Sequence, residues 1–563
     1  MRYLDDVALS KISNKLFIPA SMNESYEKNL KIELCYLLWK RTTDSKGFYN
    51  DLLYKKVLEK ILYGKSDDLF DTIIGEEVFD EESCVSLANE IEKNKRSHKY
   101  EEDLCPVSII EAVKKLLDIN SNESFCDFGC GSGKLLLNFS QSFRMSEKNV
   151  SLNGYEINYD KSVVAECLLE MNKVCYSIKN QDFLQNNDNC KFDKGFVFPP
   201  FGIRYSIEQW DKLAAGYRDL FTSRIETELL FIFKALEHIK ENGKLIALVP
   251  TGPAFRKSAE KARKYFCEKK LIEGVISLPG GLLDFTAIPV DLWIFSKKNN
   301  NGIKFLNASG MKIKGKSPRD NQLDYEKTFS EYMENSEIID SLKIAEYDYS
   351  FSQNAYSMSE FLSKIPNPVH ITDVCKIEKG SQYTISRFKD QISDTKTNYQ
   401  ILTIASIQNE IVDFDSLPFI QEDEKLLKFK LEENDIIVTS KSTVIKTFVA
   451  QNLPERNIIV SGGMIIIRPD LNKINPTYLK MFLDSEIGRK ELNSFSNVSL
   501  IITISQSLFK DRMIIPCPPL EKQNDLADNY NNLLWMINAM NKQISEMNDQ
   551  LSNMFEESLE ESE

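Results

Sequence analysis

The stretch Ser124–Phe139 (SFCDFGCGSGKLLLNF) constrains this chain more than any other. A short apolar run meets Gly129, Gly131 and Gly133, and leucines at helical spacing follow. That pattern predicts a strand, a glycine loop and the start of a helix. Glycines there allow positive φ and close approach of a ligand to the main chain. Alone, such a triplet also fits a tight strand-to-helix turn with no ligand. Three neighbours argue for a ligand. Glu156 lies near the end of a second predicted strand, Ser151–Ile157; an acid about 20 residues after the loop accepts hydrogen bonds from ribose hydroxyls in a doubly wound sheet. Asp182, in KNQDFL, falls one step further along. The apolar strand in Phe192–Gly202 (FDKGFVFPPFG) ends in Pro199-Pro200-Phe201.

Alternation of strand and helix continues from residue 100 to residue 305. Phe125–Phe128, Ser151–Ile157, Phe192–Phe198, Lys244–Val249, Gly274–Leu278 and Val290–Phe295 are predicted strands, with helices such as Lys161–Lys173 and Glu226–Lys240 between them. This predicts a largely parallel α/β sheet covered on both faces, with ligands at the carboxyl ends of its strands. The glycine loop, Glu156 and the Pro199-Pro200-Phe201 turn fall at such ends, and Asp182 sits where another would be.

Four pieces in order carry a family resemblance: Asp127–Gly133 (DFGCGSG), Tyr155-Glu156, Gln181-Asp182-Phe183 and Pro199-Pro200-Phe201-Gly202. Together they resemble S-adenosylmethionine-dependent DNA adenine-N6 methyltransferases, above all the modification subunits of type I restriction-modification systems. Asp103–Leu117 is similar to that family's Phe-Tyr-Thr-Pro segment and its helix, with Cys105-Pro106 where Thr-Pro is usual. Gly243–Phe255 and Leu271–Gly281 extend the likeness. The resemblance implies a Rossmann-like class I methyltransferase core that binds S-adenosyl-L-methionine. It implies cofactor positions at Cys105, Pro106, Asp127, Gly129, Gly131, Gly133, Glu156, Asp182 and Phe183. Glu156 would take the ribose hydroxyls and Asp182 the adenine amine.

The catalytic positions implied are Phe198, Pro199, Pro200 and Phe201. The family has Asn, Asp or Ser before Pro-Pro-aromatic; this chain has Phe198. Transfer to adenine N6 needs a held sulfonium, an extruded base and acceptors for the amine hydrogens. Phe201 matches the aromatic that stacks on the flipped base, a contact worth about 1–3 kcal/mol. Pro199 retains its carbonyl, but Phe198 offers no side-chain acceptor. Loss of one such group typically costs about 3–4 kcal/mol, roughly 10² to 10³ in rate. The expectation is therefore a cofactor-binding protein with impaired catalysis. The alternatives are a fully active site-specific DNA adenine-N6 methyltransferase and a methyltransferase acting on protein or small molecules.

Residues 1–96 read as helical. Leu30, Leu34, Leu37 and Leu38 make one stripe, and Leu52, Leu53, Val57, Ile61 and Leu62 another. Asn29–Thr43 and the segment after it resemble the N-terminal helical domain of the modification subunits, which implies a clamp on DNA and on a neighbouring subunit. Glu92–Tyr100 (EKNKRSHKY) reads as a solvated charged linker into a catalytic domain at 97–310. A connecting segment, 311–367, holds a helix candidate at Glu326–Ser341; Pro366 and Pro368 mark its end.

The remainder, 368–520, is β-rich, with Ile436–Thr439, Ile458–Val460 and Met464–Ile467 as strands. Val374–Gly380, Glu433–Thr439, Ile465–Pro469, Tyr478–Ser485 and Pro518–Gln523 (PPLEKQ) resemble a target-recognition domain of type I specificity subunits. That implies double-stranded DNA as a partner. Lys379, Lys441 and Lys446, in loop-like stretches, are the candidate DNA contacts, each also consistent with a merely solvated lysine. Residues 521–563 form a long helix. Leu526, Tyr530, Leu533, Ile537, Met540, Ile544, Met547, Leu551 and Met554 alternate by four and three, an a/d seam of about four heptads. The seam fits either packing on its own domain or a homodimer, or else a specificity, modification or nuclease partner subunit.

Charge and composition set outer limits. A chain of 563 residues with 42% apolar and 27% charged residues is globular and multidomain. The net charge of −14 argues against broad nonspecific nucleic-acid binding but not against a local basic groove. Glu521–Glu563 alone carries ten acids against two lysines, whereas Ile371–Leu520 is near neutral. With no run of about 18 apolar residues and no signal-peptide pattern, the expectation is a cytoplasmic protein without membrane association. Eleven cysteines without a CxxC pair fit reduced thiols, and three histidines leave no basis for a His-built zinc site, so no metal is expected.

Overall fold

The computed structural model describes the chain except residues 1, 17–23, 44–50, 63–67, 75–77, 94–104, 187, 222–226, 284–285, 287, 299, 316–320, 358–366, 382–390, 409–410, 443, 495–501, 505 and 561–563. It forms two compact units, Met1–Tyr356 and Ser357–Glu563.

In the first unit, helices α1 (Asp6–Lys15), α2 (Glu24–Thr43), α3 (Leu52–Leu62), α4 (Asp68–Ile74) and α5 (Glu81–Lys93) precede the sheet. The single stripe expected of α2 is too narrow. Ile32, Cys35, Tyr36 and Trp39 are buried along with Leu30, Leu34, Leu37 and Leu38. The helix lies between α5 and a helix packed on the sheet, Tyr159–Met171, so it has few sides left for water. On α3, Leu52 is exposed and Tyr54 and Leu58 take its place in the core.

Nine strands make one sheet: β1 (Ser124–Phe128), β2 (Ser151–Glu156), β3 (Tyr176–Asn180), β4 (Phe192–Val197), β5 (Ile239–Pro250), β6 (Ile272–Ser277), β7 (Val290–Ser296), β8 (Gly302–Asn307) and β9 (Glu337–Asp340). Their order is β9-β8-β6-β7-β5-β4-β1-β2-β3. From β5 to β3 every pairing is parallel. Beyond β5 the sheet is mixed, because β7 runs antiparallel to both β5 and β6. The link from β6 to β7 holds no helix among its described residues, and an antiparallel neighbour needs none. Apolar cores lie on both faces, and β7, buried along its whole length, reads as a continuous hydrophobic run. The helix expected over Glu326–Ser341 stops at Glu334; Glu337–Asp340 is instead the edge strand β9.

The second unit has a four-stranded antiparallel sheet made from β10 (Cys375–Lys379), β11 (Ile436–Thr439), β12 (Thr447–Val449) and β13 (Met464–Pro469), in the order β10-β13-β11-β12. Two apolar cores flank it. Its last element is the 41-residue helix Leu520–Glu560. The first turns of that helix are tied down by side-chain hydrogen bonds. Gln523 is buried, donates to the carbonyls of Pro518 and Lys473, and accepts from the Asn475 N–H; Tyr530 accepts from Lys480. Beyond Tyr530 the described seam residues Leu533, Ile537, Met540, Ile544, Met547 and Leu551 are exposed, Leu551 at 66%. No described helix is long and apolar enough to cross a membrane.

Candidate functional site

Four neighbouring parallel strands, β4-β1-β2-β3, bring the singled-out residues to one edge of the sheet. The glycine loop follows β1, Glu156 ends β2, Asp182 follows β3 and Phe198 follows β4. Strand β3 was not among the predicted strands, although Asp182 was expected at such an end. Its sequence, YSIKN, is a half-exposed edge without apolar alternation.

The loop needs its glycines. Gly129 and Gly131 have φ of +119° and +54°, and a Cβ on either would project into open space. Gly133, at φ +80°, is also pressed against Ala165, where a Cβ would approach to 2.9 Å. The N–H groups of Gly129 and Cys130 both donate to the Tyr155 carbonyl, which ties the loop to β2. Glu156 closes it: one carboxylate oxygen accepts from Gly131 N–H at 2.9 Å, the other from Asn158 N–H at 2.7 Å.

Asp127 is buried beneath this loop. Removal from water, with the Glu156 charge nearby, pushes its carboxyl up to about 8. Asp182 caps the short 3-10 turn Phe183–Gln185 by accepting from Leu184 N–H at 3.0 Å. The following loop is anchored by Asp188, which accepts from Tyr155 Oη and Lys179 Nζ; these donors hold its carboxyl well below the usual range despite partial burial. Cys126 and Cys130 are buried thiols, pushed up chiefly by burial.

A cavity of about 590 Å³ opens at this edge, lined by Gly129, Gly131, Glu156, Asp182, Phe198 and Pro200 among others. It is in the ordinary size range for a cofactor site. A smaller recess of about 30 Å³ shares Gly129 and Gly131 with it and is lined also by Cys105, Asp127, Lys134 and Lys161. Phe198 lines both and meets Phe201 edge-on, ring centres 5.6 Å apart. Pro106 precedes the helix α6 (Val107–Leu117) as its N-cap. Phe183 is buried against Phe128 and Tyr155.

Sequence reasoning missed several residues here. Glu228 Oε1 accepts from Gly202 N–H at 3.4 Å, and Thr227 Oγ1 donates to the Ile203 carbonyl, so the start of the helix Thr227–Glu237 braces the Pro-Pro turn. Neither residue stands in a motif. Glu92 corrects the expected solvated linker: it is the penultimate residue of α5, 1% exposed, and bound to the glycine loop through Ser132. The rest of that linker, 94–100, lies outside the described residues, as do Asp103 and Leu104.

In the second unit, Lys379 and Lys441 are exposed at one end of the sheet: Lys379 pairs with Ile465, and Lys441 N–H donates to the Gly463 carbonyl. Lys446 is half-buried. Its ammonium donates to the carbonyls of Ile404 and Ile407, at 3.4 and 2.5 Å, which ties the side chain to its own domain.

Residues 92–363 match the N-6 DNA Methylase family, and residues 367–547 match the Type I restriction modification DNA specificity domain. The chain is 23% identical to the type I restriction enzyme MpnII methylase subunit of Mycoplasma pneumoniae, over 49% of this chain and 56% of the relative. It is 27% identical to the type I restriction enzyme MjaX specificity subunit of Methanocaldococcus jannaschii, over 26% of this chain and 36% of that one. The match thus spans little more than half of the first relative and about a third of the second. Among solved structures, the methyltransferase subunit of a type I restriction-modification system from Streptococcus thermophilus aligns at 18% identity with a TM-score of 0.46, covering 62% of this chain and 98% of that one.

Proposed function

We propose, for a chain that joins an N-6 DNA methylase domain to a type I restriction modification DNA specificity domain, a sequence-specific DNA-binding, S-adenosylmethionine-binding protein of a restriction-modification or related phage-defence system, with methyl transfer impaired at Phe198. The observation that carries this reading is the convergence of the glycine loop, Glu156, Asp182 and the Pro-Pro-Phe turn on one sheet edge, in a chain that also holds the specificity domain.

S-adenosylmethionine, when bound, supplies an electrophilic methyl group. The open space over Gly129 and Gly131 fits close approach of such a ligand to the backbone. Glu156, already oriented by two loop N–H groups, has lone pairs left for ribose hydroxyls. Phe201 stacks on an extruded base, and the Pro199 carbonyl accepts one amine hydrogen. At position 198 a phenyl ring takes the place of the second acceptor and packs on Phe201. Charge developing on the amine nitrogen therefore lacks one stabilising partner.

Target reading is assigned to Val374–Leu520, with Lys379 and Lys441 as contacts. The exposed seam beyond Tyr530 is assigned to an antiparallel pairing with a second copy, or to the same surface taken by a modification, specificity or nuclease subunit. Antiparallel pairing separates the acidic ends Glu556–Glu563, which a parallel pair would bring together.

The test is a tritiated methyl-transfer assay on mixed genomic DNA beside a calorimetric titration with S-adenosylmethionine. Cofactor binding with weak or no transfer is the expected result. Robust N6 methylation by the wild-type chain would replace this reading with that of an active methyltransferase, and absent cofactor binding would remove the site assignment.

A further inference from the structure

Helix α2 sets two polar residues, Lys28 and Asn29, at the head of an apolar run, NLKIELCYLLW, and both are buried. Buried polar groups ordinarily have partners, so each demands an account. Lys28 has one: its ammonium pairs with Glu92 of α5 at 2.9 Å, and the two side chains are each 1% exposed. The other Glu92 oxygen accepts from Ser132 Oγ at 2.9 Å. Ser132 stands between Gly131 and Gly133, so the glycine loop is gripped from both sides, by Glu156 from within the sheet and by Glu92 from the helical layer. A buried ion pair is poor evidence of stability, but it fixes the register of what it joins.

Asn29 is different. It is 7% exposed, its carboxamide has no hydrogen-bond partner among the described residues, and it lines the small recess beside Asp127, Cys105, Lys134 and Lys161. An amide that lines a recess without a partner keeps its donors and its acceptor available to a ligand. The recess is lined by an aspartate, two lysines and an asparagine, whose amide both donates and accepts. That set complements a zwitterionic α-amino acid, with one cation and one anion, better than it complements a nucleoside. The nucleoside side is the wider cavity, with Glu156 and Asp182. Cys105 adds only a weakly hydrogen-bonding thiol and Ser132 already donates to Glu92, which leaves Asn29 as the neutral polar side chain there without a partner among the described residues.

We infer that the N-terminal helical layer completes the amino-acid end of the cofactor site, with Asn29 contacting the methionine moiety and Glu92 positioning the glycine loop through Ser132. This rests on the cavity being an S-adenosylmethionine site. Anything that shifts the helical layer would then change cofactor affinity without touching the sheet.

The full-length chain is titrated by calorimetry with S-adenosylhomocysteine and with 5′-methylthioadenosine, which keeps the adenosine and thioether but lacks the amino-acid end. Asn29→Ala should weaken S-adenosylhomocysteine about tenfold and leave 5′-methylthioadenosine within about twofold. Retained 5′-methylthioadenosine binding also demonstrates that the variant is folded. Glu92→Gln should weaken both ligands alike, because it acts on the loop rather than on one moiety. Equal loss of both ligands in Asn29→Ala, or no loss of either, would overturn the contact. Wild-type protein that binds neither ligand would instead overturn the cofactor-site reading, and this inference with it.

Discussion

The glycine loop and the Pro-Pro turn follow adjacent parallel strands, β1 and β4, yet their polar furnishing is opposite. Around the loop, carboxylates meet N–H groups on both sides, the glycines hold positive φ, and a cavity faces the backbone. Around the turn, the position that would hold an amine acceptor carries a phenyl ring packed edge-on against its aromatic neighbour. Binding a cofactor and transferring its methyl group are separable demands. Groups that hold the ground state equally well do nothing for the barrier, and only a partner for the developing charge lowers it. A chain can therefore keep the first furnishing intact while losing the second.

The contrast breaks most severely at Gly131. A side chain there must adopt φ near +54°, and an aspartate would add a third carboxylate beside Asp127 and Glu156. Gly131→Asp should abolish S-adenosylmethionine binding in calorimetry. Glu156→Ala should weaken it strongly, roughly 10²-fold, since it removes the ribose acceptor and frees the Gly131 and Asn158 N–H groups together. Unchanged affinity in both variants would mean the cavity lies elsewhere.

At the turn, a smaller effect of opposite sign is expected. Phe198→Asn restores an acceptor and removes the ring, so methyl transfer should rise by about tenfold or more over wild type while cofactor affinity stays put. Single-molecule sequencing of the methylated DNA reads the outcome. Equal, strong N6 methylation by both proteins would erase the proposed difference between the two ends of the site.

Much of this edge was legible because its signals are local. Gly129, Gly131 and Gly133 sit between an apolar strand and a leucine helix, and strand ends are where such a sheet binds ligands. Asp182 could be placed without seeing β3, although β3 itself, polar and at an edge, leaves no alternation to read. What escaped is non-local. Glu92 looks like the start of a charge run, and only packing of α5 against the glycine loop makes it a buried anchor. Asn29 looks like an ordinary helix position, and Glu228 and Lys446 look like surface charges until Gly202 and two carbonyls are found beside them. In Glu337–Asp340, EIID continues a helical pattern, and only the open edge of β8 makes it a strand.

The finest distinction lies inside the cofactor end. Burial, with Glu156 adding to it, raises Asp127 from 3.8 to about 8 in the folded chain. The folded state then holds a proton that the unfolded state has released wherever the pH lies between those values, so stability falls as pH rises from about 4 to about 8 and levels off above. Asp127→Asn has nothing to titrate. Its melting temperature relative to wild type should therefore climb across that window, gaining several degrees by pH 8. Ligand affinity should move the other way. An ammonium group near Asp127 favours the carboxylate, so wild-type affinity for S-adenosylmethionine should rise between pH 5.5 and 7, below the titration of the ligand's own amine, with a proton released on binding. Lys134 and Lys161 line the same recess as Asp127. The variant should bind more weakly by a few fold at pH 7 and show little dependence on pH. Calorimetry in two buffers of different ionisation enthalpy counts the proton directly. Zero protons released by wild type, with a flat stability difference between the two proteins, would mean that Asp127 is already ionised beneath the loop, and that burial there is less complete than the packing around it implies.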